Sequence, residues 1–487
     1  MEQIQTNKKE LQGKIIKATK WSSITEIAAK LVAPISTMVL ARILTPEAFG
    51  ILVTATMVIS FAEIFTDAGF QKYIIQHEFK DKDSLHDSTN VAFISNLSFS
   101  ILLWVIIIIF SSNIADLVGN TGYGIVIAIS SVCIPLAAFS SIQMALFKRS
   151  FDFKTLFITR MAGICIPLFI TIPLAFIFRS YWALIIGMIA QNLSNAVILT
   201  IKSYWKPNLS FELKLLKEMF SFTFWSMLES VAIWLTSYAD IFIVGKLLDD
   251  YYLGLYRTSM STVGQIVGLI TAATTPILFS SLSRLQTNEE EFKKMFFRFQ
   301  KIIGMLVVPM GVGIYIFRNL ITEILLGSQW GQAAYFIGIW ALTSSVVIVL
   351  AHYSSEVYRA KGKPKLSVFI QISQIACIIP AVLLSIPHGF DTLCEWRSIV
   401  RLEAIIINLL VMYFFVNINP YKMIINIFPA CLASGIMWFI SLFYPTSSNY
   451  IIRFLYIIPS ICVYFSIIMF FPKERNIILN FKKIIKT

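Results

Sequence analysis

Apolar residues arrive along this chain in runs of about 20, the length at which a helix crosses a bilayer core. Polar clusters and Gly/Pro breaks separate the runs. Fourteen can be marked, near 22–44, 50–70, 88–111, 123–147, 155–178, 181–202, 219–245, 253–281, 300–318, 332–356, 365–386, 398–416, 424–444 and 452–471. The pattern predicts an all-α polytopic membrane protein of about fourteen transmembrane helices, with 387–397 as a loop. Proline recurs inside the runs, among them Pro167, Pro173, Pro309 and Pro380. Each removes a backbone hydrogen bond and tends to kink its helix.

Composition supports the pattern. Of 487 residues, 57% are hydrophobic and 14% charged, against about 25% charged in ordinary soluble domains. No stretch is polar and long enough for a separate soluble domain. The net charge is +13. With the N-terminus in the cytoplasm, most Lys and Arg fall in the basic tail 1–21, the inward loops and the C-terminal tail. The outward loops and their edges hold only Arg42, Arg179, Lys246, Arg318, Arg397 and Arg453. That asymmetry predicts an even number of spans with both termini cytoplasmic, and no nucleic-acid partner. The tail 1–20 reads either as an amphipathic helix on anionic lipid or as a disordered topology signal. Six cysteines without a CxxC pair read as small buried hydrophobes, with no disulfide framework and no metal site.

Residues 41–52, ARILTPEAFGIL, have an echo in 245–256, GKLLDDYYLGLY. At an offset of about 204, Arg42 aligns with Lys246, Leu44 with Leu248, Phe49 with Leu253 and Gly50 with Gly254. The offset maps spans 1 and 2 onto spans 7 and 8, running the same way. A parallel six-span repeat follows, with a pseudo-two-fold axis along the membrane normal and a substrate cavity expected where the lobes face each other. The expected parts are the N-lobe 22–215, the C-lobe 216–420, and an addition, 421–487, carrying two extra C-terminal helices and a basic tail.

Charge inside a membrane costs at least about 2.5–3.5 kcal/mol per group, so such residues usually face protein or water. Glu26 and Lys30 lie four apart on span 1, and Glu63 and Asp67 four apart on span 2, each pair sharing a helix face. Glu229 and Asp240 share a face of span 7. Arg42, Arg257 and Arg401 read as lying near outer ends, where they can snorkel to headgroups; Asp67, Arg160, Glu356 and Arg359 lie near inner ends. Lys30, Glu63, Glu229 and His352 sit deeper and are candidates for lining a cavity or for pairing helices. No nucleophile–base or metal-ligand pattern appears, so no catalytic residue is assigned.

The stretch from Ala41 to Gln76 resembles the N-terminal signature of Wzx-like polysaccharide and O-antigen flippases. These belong to the multidrug/oligosaccharidyl-lipid/polysaccharide exporter superfamily. The matching elements are Ala41 to Glu47, Phe49-Gly50, Asp67-Ala68-Gly69-Phe70 and Ile74-Ile75-Gln76, with the second-half echo at Gly245 to Leu248 and Leu253 to Tyr256. The resemblance implies a non-enzymatic carrier in the bacterial inner membrane. It would move undecaprenyl-pyrophosphate-linked oligosaccharide units to the periplasmic leaflet by alternating access, with membrane lipids and polysaccharide assembly proteins as partners. Lys30, Arg42, Arg160, Lys246 and Arg257 then become candidates for the pyrophosphate, and Trp225, Trp234, Asn192 and Asn195 for the sugar. No cofactor is expected. Exchange for H+ or Na+ at Glu63, Asp67 or Glu229 is one energy source to expect; membrane potential with downstream consumption is the other. The rival readings are a cation-coupled multidrug exporter of the same superfamily and a membrane polysaccharide polymerase or ligase. The latter is disfavoured by outward loops too short for a catalytic insert.

Overall fold

The structure, a computed structural model, describes residues 21, 24–26, 28–67, 69–208, 211–363, 365–445 and 450–479. The basic tail 1–20 lies outside them. Among the described residues, fourteen helices are long and apolar enough to cross a membrane. They are α1 (Ile24–Ile43), α2 (Pro46–Thr66), α3 (Lys82–Ile109), α4 (Gly124–Arg149), α5 (Phe153–Phe178), α6 (Trp182–Lys202), α7 (Ser230–Leu247), α8 (Asp250–Arg284), α9 (Glu289–Ile316), α10 (Ala333–Ala360), α11 (Leu366–His388), α12 (Phe390–Val416), α13 (Pro420–Ser441) and α14 (Ile451–Ile468). No strand occurs among the described residues. The protein is an all-α multi-pass membrane protein.

Capping explains where the helices begin ahead of their apolar runs. α3 starts at Lys82 because Asp81 accepts the Ser84 backbone N–H at 2.7 Å, while the Asp81 N–H donates to Ser84 Oγ at 3.2 Å; this reciprocal pair is a capping box. Asn288 likewise accepts the Glu291 N–H, so α9 begins on a charged turn, Glu289 to Glu291, which suits the positive end of the helix dipole. In α12 the structure departs from the sequence reading. Residues 390–397 of the expected loop 387–397 are helical. Of the charges in this segment, Asp391 stays exposed and Arg397 is buried. Arg397 and Arg401 lie 5.0 and 3.9 Å from the centre of the Trp340 ring, and Arg401 donates to Ser344 Oγ at 2.7 Å. Arg401 therefore sits within α12, at a two-residue break after Val400, and not at its outer end.

By contact density the chain divides into two compact units, Met1–Arg257 and Thr258–Thr487. In the first unit, α5 passes through a π-turn at Pro167–Thr171. Pro167 and Pro173 both lack the N–H that would close the regular ladder, and the extra residue sits between them. Thr171 from this turn meets α6 at Gly187, where a Cβ would come within 2.0 Å of Thr171 Oγ1.

The 204-residue echo is exact in register. α1 ends at Ile43 and α7 at Leu247; α2 begins at Pro46 and α8 at Asp250. Asp249 caps α8 by accepting the Tyr252 N–H at 3.0 Å, and Pro46 occupies the first helical position of α2, where its missing N–H costs nothing. The two turns also pack on each other. A Cβ on Gly50 would lie 2.0 Å from the Asp250 carbonyl oxygen, and one on Gly254 would lie 1.9 Å from that of Pro46. The contact is reciprocal, and it is consistent with the two-lobe repeat.

In the second unit, α9 packs against α10 and α13. A cluster of Met305, Val312, Ala433, Met437, Tyr464 and Ile468 ties α13 and α14 to it, with the Tyr464 hydroxyl donating to the Met305 carbonyl at 2.8 Å. The helix Pro472–Leu479 is pinned by Lys301 and Glu474, 2.6 Å apart and nearly buried.

Candidate functional site

The first unit contains a cavity of about 440 Å³, within the range of small-molecule sites. Helical periodicity builds its wall. Ser60, Glu63 and Ile64 recur on one face of α2, Ala137, Ser141 and Met144 on one face of α4, and Asn192 and Asn195 on one face of α6. Asn96 of α3 and Ser230 of α7 complete it. At one edge the chain leaves α2 and turns at Gly69, whose φ of 84° is open to glycine at little cost. The turn starts a short helix, Phe70–Gln76, that contributes Gln71 and Lys72 to the lining. Phe70, Tyr73 and Ile74 bury that helix against Val91, Phe93 and Ile142. Arg149 Nη1 holds its C-terminal end, donating to the carbonyls of Ile74 and His77 at 2.7 Å each.

The wall is neutral except for Glu63 and Lys72, and the hydroxyl donors on α2 and α4 are already used. Ser60 donates to Met57 O, Thr66 to Glu63 O, Ser140 to Ala137 O and Ser141 to Ala138 O, all at 2.9–3.1 Å. Each of these hydroxyls bonds back to its own helix and keeps acceptor lone pairs. The Trp234 indole N–H donates to Ser60 Oγ at 3.0 Å and fixes it. The Asn192 amide donates to Met188 O at 3.1 Å. Asn96 is fully buried; its nitrogen donates to Ser141 Oγ at 2.6 Å and to Ala138 O at 3.4 Å, while its Oδ1 has no hydrogen-bond partner. A buried acceptor left unmade costs about 1–3 kcal/mol.

The sequence candidates scatter around this cavity. Glu63, Asn192 and Asn195 line it, and Trp234 supports it from behind. None of the five cations is among its lining residues. Arg42, Arg160 and Lys246 are exposed, and Lys30 and Arg257 are half-buried. Lys246 donates to the Asp116 carbonyl at 2.9 Å; Arg257 lies 5.6 Å from the Tyr238 ring centre. Asp240 is buried and accepts from the Tyr256 hydroxyl at 2.9 Å. Glu26 is exposed on α1. His352, in the second unit, is exposed at the end of a π-turn, edge-on to Tyr353. The side chains of Asp67, Trp225 and Glu229 lie outside the described residues. Sequence reasoning missed Asn96 and Lys72. Asn96 left a trace as an amide within an apolar run; Lys72 left none, because it reads as a loop charge.

The profile of the family described as polysaccharide biosynthesis protein matches residues 39–335. The chain belongs to that family. It is 24% identical over 382 residues to an uncharacterized membrane protein in the cps region of Klebsiella pneumoniae, covering 77% of each chain. It is 20% identical to the lipopolysaccharide biosynthesis protein WzxC of Escherichia coli K12, covering 66% of this chain and 65% of that one. Among solved structures, the lipid II flippase MurJ in an inward closed conformation superimposes with a TM-score of 0.76 at 14% identity, over 93% of this chain and 98% of that one. The last likeness fixes the fold. The Wzx-like resemblance of residues 41–76 is borne out by the family match and by the two sequence relatives.

Proposed function

We propose that this member of the polysaccharide biosynthesis family is a flippase. It carries undecaprenyl-pyrophosphate-linked oligosaccharide units from the cytoplasmic to the periplasmic leaflet of the bacterial inner membrane, making and breaking no covalent bond. The polar cavity of about 440 Å³ inside an otherwise apolar helical unit carries this reading. Hydroxyls and amides at membrane depth are costly unless they face water or a polar ligand. The skew of Lys and Arg toward one set of loops supports cytoplasmic termini. Exposed or half-buried cations outside the cavity, Arg42, Lys30 and Arg257 among them, are the groups suited to a pyrophosphate. Glu63, on the cavity wall, is the carboxyl best situated to exchange H+ or Na+ against the substrate.

A strain deleted for the gene tests the reading. Lipid-linked repeat units are probed with a sugar-modifying reagent that cannot the membrane cross. The units accumulate unlabelled in the deletion strain and become labelled when the wild-type gene is restored. Normal labelling without the gene overturns the proposal.

A further inference from the structure

The cavity in the first unit has a chemical polarity of its own. The hydroxyls of Ser60, Thr66, Ser140 and Ser141 spend their protons on carbonyls of their own helices. The Asn96 and Asn192 amide nitrogens are likewise committed. Lys72, Gln71 and Asn195 bring donors to parts of the wall; around Asn96 the remaining capacity is for accepting, in the lone pairs of the α2 and α4 hydroxyls and in the Asn96 carbonyl oxygen. The orientation of the Asn96 amide follows from its neighbours. The Ala138 carbonyl can only accept, so the nitrogen must face it. Its oxygen is then the atom without a donor, on a side chain that is completely buried yet forms part of the cavity wall.

Three parts of a lipid-linked oligosaccharide could occupy such a site. The isoprenoid tail offers no hydrogen bonds and would leave the wall unsatisfied. A pyrophosphate is acceptor-only and would leave the Asn96 oxygen without a donor. A sugar presents hydroxyl donors all round its ring. We propose that this cavity reads the sugar of the carried lipid, and that Asn96 is a specificity-determining residue whose Oδ1 accepts a hydroxyl of that sugar. The inference rests on the flippase reading and deepens it: sugar and pyrophosphate are recognised by separate groups, the sugar by neutral acceptors on α2, α3, α4 and α6.

The test is equilibrium binding to the full-length protein in lipid nanodiscs. The probes are lipid-linked repeat units extracted from the strain's own membranes, undecaprenyl pyrophosphate without sugar, and a hydrophobic ammonium compound. The wild type binds the sugar-bearing lipid more tightly than the bare one. Asn96→Leu weakens the sugar-bearing lipid about tenfold, the scale of one hydrogen bond, and leaves the bare lipid unchanged. Asn192→Ala, on a different helix, gives the same selective loss and serves if Asn96→Leu does not fold. Equal loss for both lipids, or no preference for the sugar-bearing one, overturns the sugar site and leaves the flippase standing. Binding of the ammonium compound alone overturns both, in favour of a drug exporter.

Discussion

Lys301 and Glu474 form the ion pair whose removal should be felt most. Their side chains are 13% and 4% exposed and meet at 2.6 Å. Lys301→Ala leaves the Glu474 carboxylate buried without its counter-charge, and breaking such a pair costs about 3–5 kcal/mol. The expected result is a clear fall in melting temperature in detergent. Replacing both, as Lys301→Met with Glu474→Leu, should recover most of it, because the penalty lies in the orphaned charge. Recovery failing in the double variant would mean that the pair contributes net attraction. What was legible at this scale follows from the same physics. Glu63, Asn192 and Asn195 could be picked out because a polar group in an apolar run is expensive and so signals an interior. Ser140 and Ser141 could not, since serine satisfies itself on its own helix and carries no such signal. Asn96 becomes distinctive only once Ser141 and Ala138 of α4 are seen to occupy its nitrogen.

At the scale of the element, all fourteen spans were readable from apolar length, and their ends were not. Hydrophobicity falls off before a helix does, and caps decide the last turns. Asp81 is the sharpest case. Its carboxyl is held below its ordinary 3.8 chiefly by the Ser84 backbone N–H, then by the Ser84 hydroxyl. A depressed value means that the folded state favours the charged form. The cap is therefore at full strength above 3.8 and is lost as pH falls through the lower folded value. Protection of the Ser84 amide, its exchange taken relative to the unprotected rate at each pH, should fall over that acid window in the wild type. In Asp81→Ala protection should be low already at neutral pH, with no acid step. Wild-type protection that does not change over that window would remove the cap from the account of why α3 begins where it does. The misreading of 390–397 has a different origin. Charge density argued for a loop, but Trp340 and Ser344 belong to another helix, and no local pattern announces that they will receive Arg397 and Arg401.

For the molecule as a whole, the 204-residue echo makes the strongest demand. Two identities in twelve positions were a thin signal, yet helix ends and starts recur at that spacing, and the paired glycines meet reciprocally. Gly50 abuts the Asp250 carbonyl, and Gly254 abuts the Pro46 carbonyl; Pro46 and Asp250 are themselves 204 apart. Small residues let two helices approach backbone to backbone, and both sides of this contact are backbone, which cannot rotate away as a side chain can. Gly50→Ala and Gly254→Ala should each force the helix starts apart, lowering thermal stability by a similar amount. Because either substitution opens the same contact, the double variant should lose much less than the sum of the two, a coupling of the kind seen between residues in direct contact. Thermal unfolding of the three variants decides it. If Gly254→Ala is costly and Gly50→Ala neutral, or if the losses simply add, the turns are two independent helix starts, and the repeat is a likeness of sequence that the packing does not use.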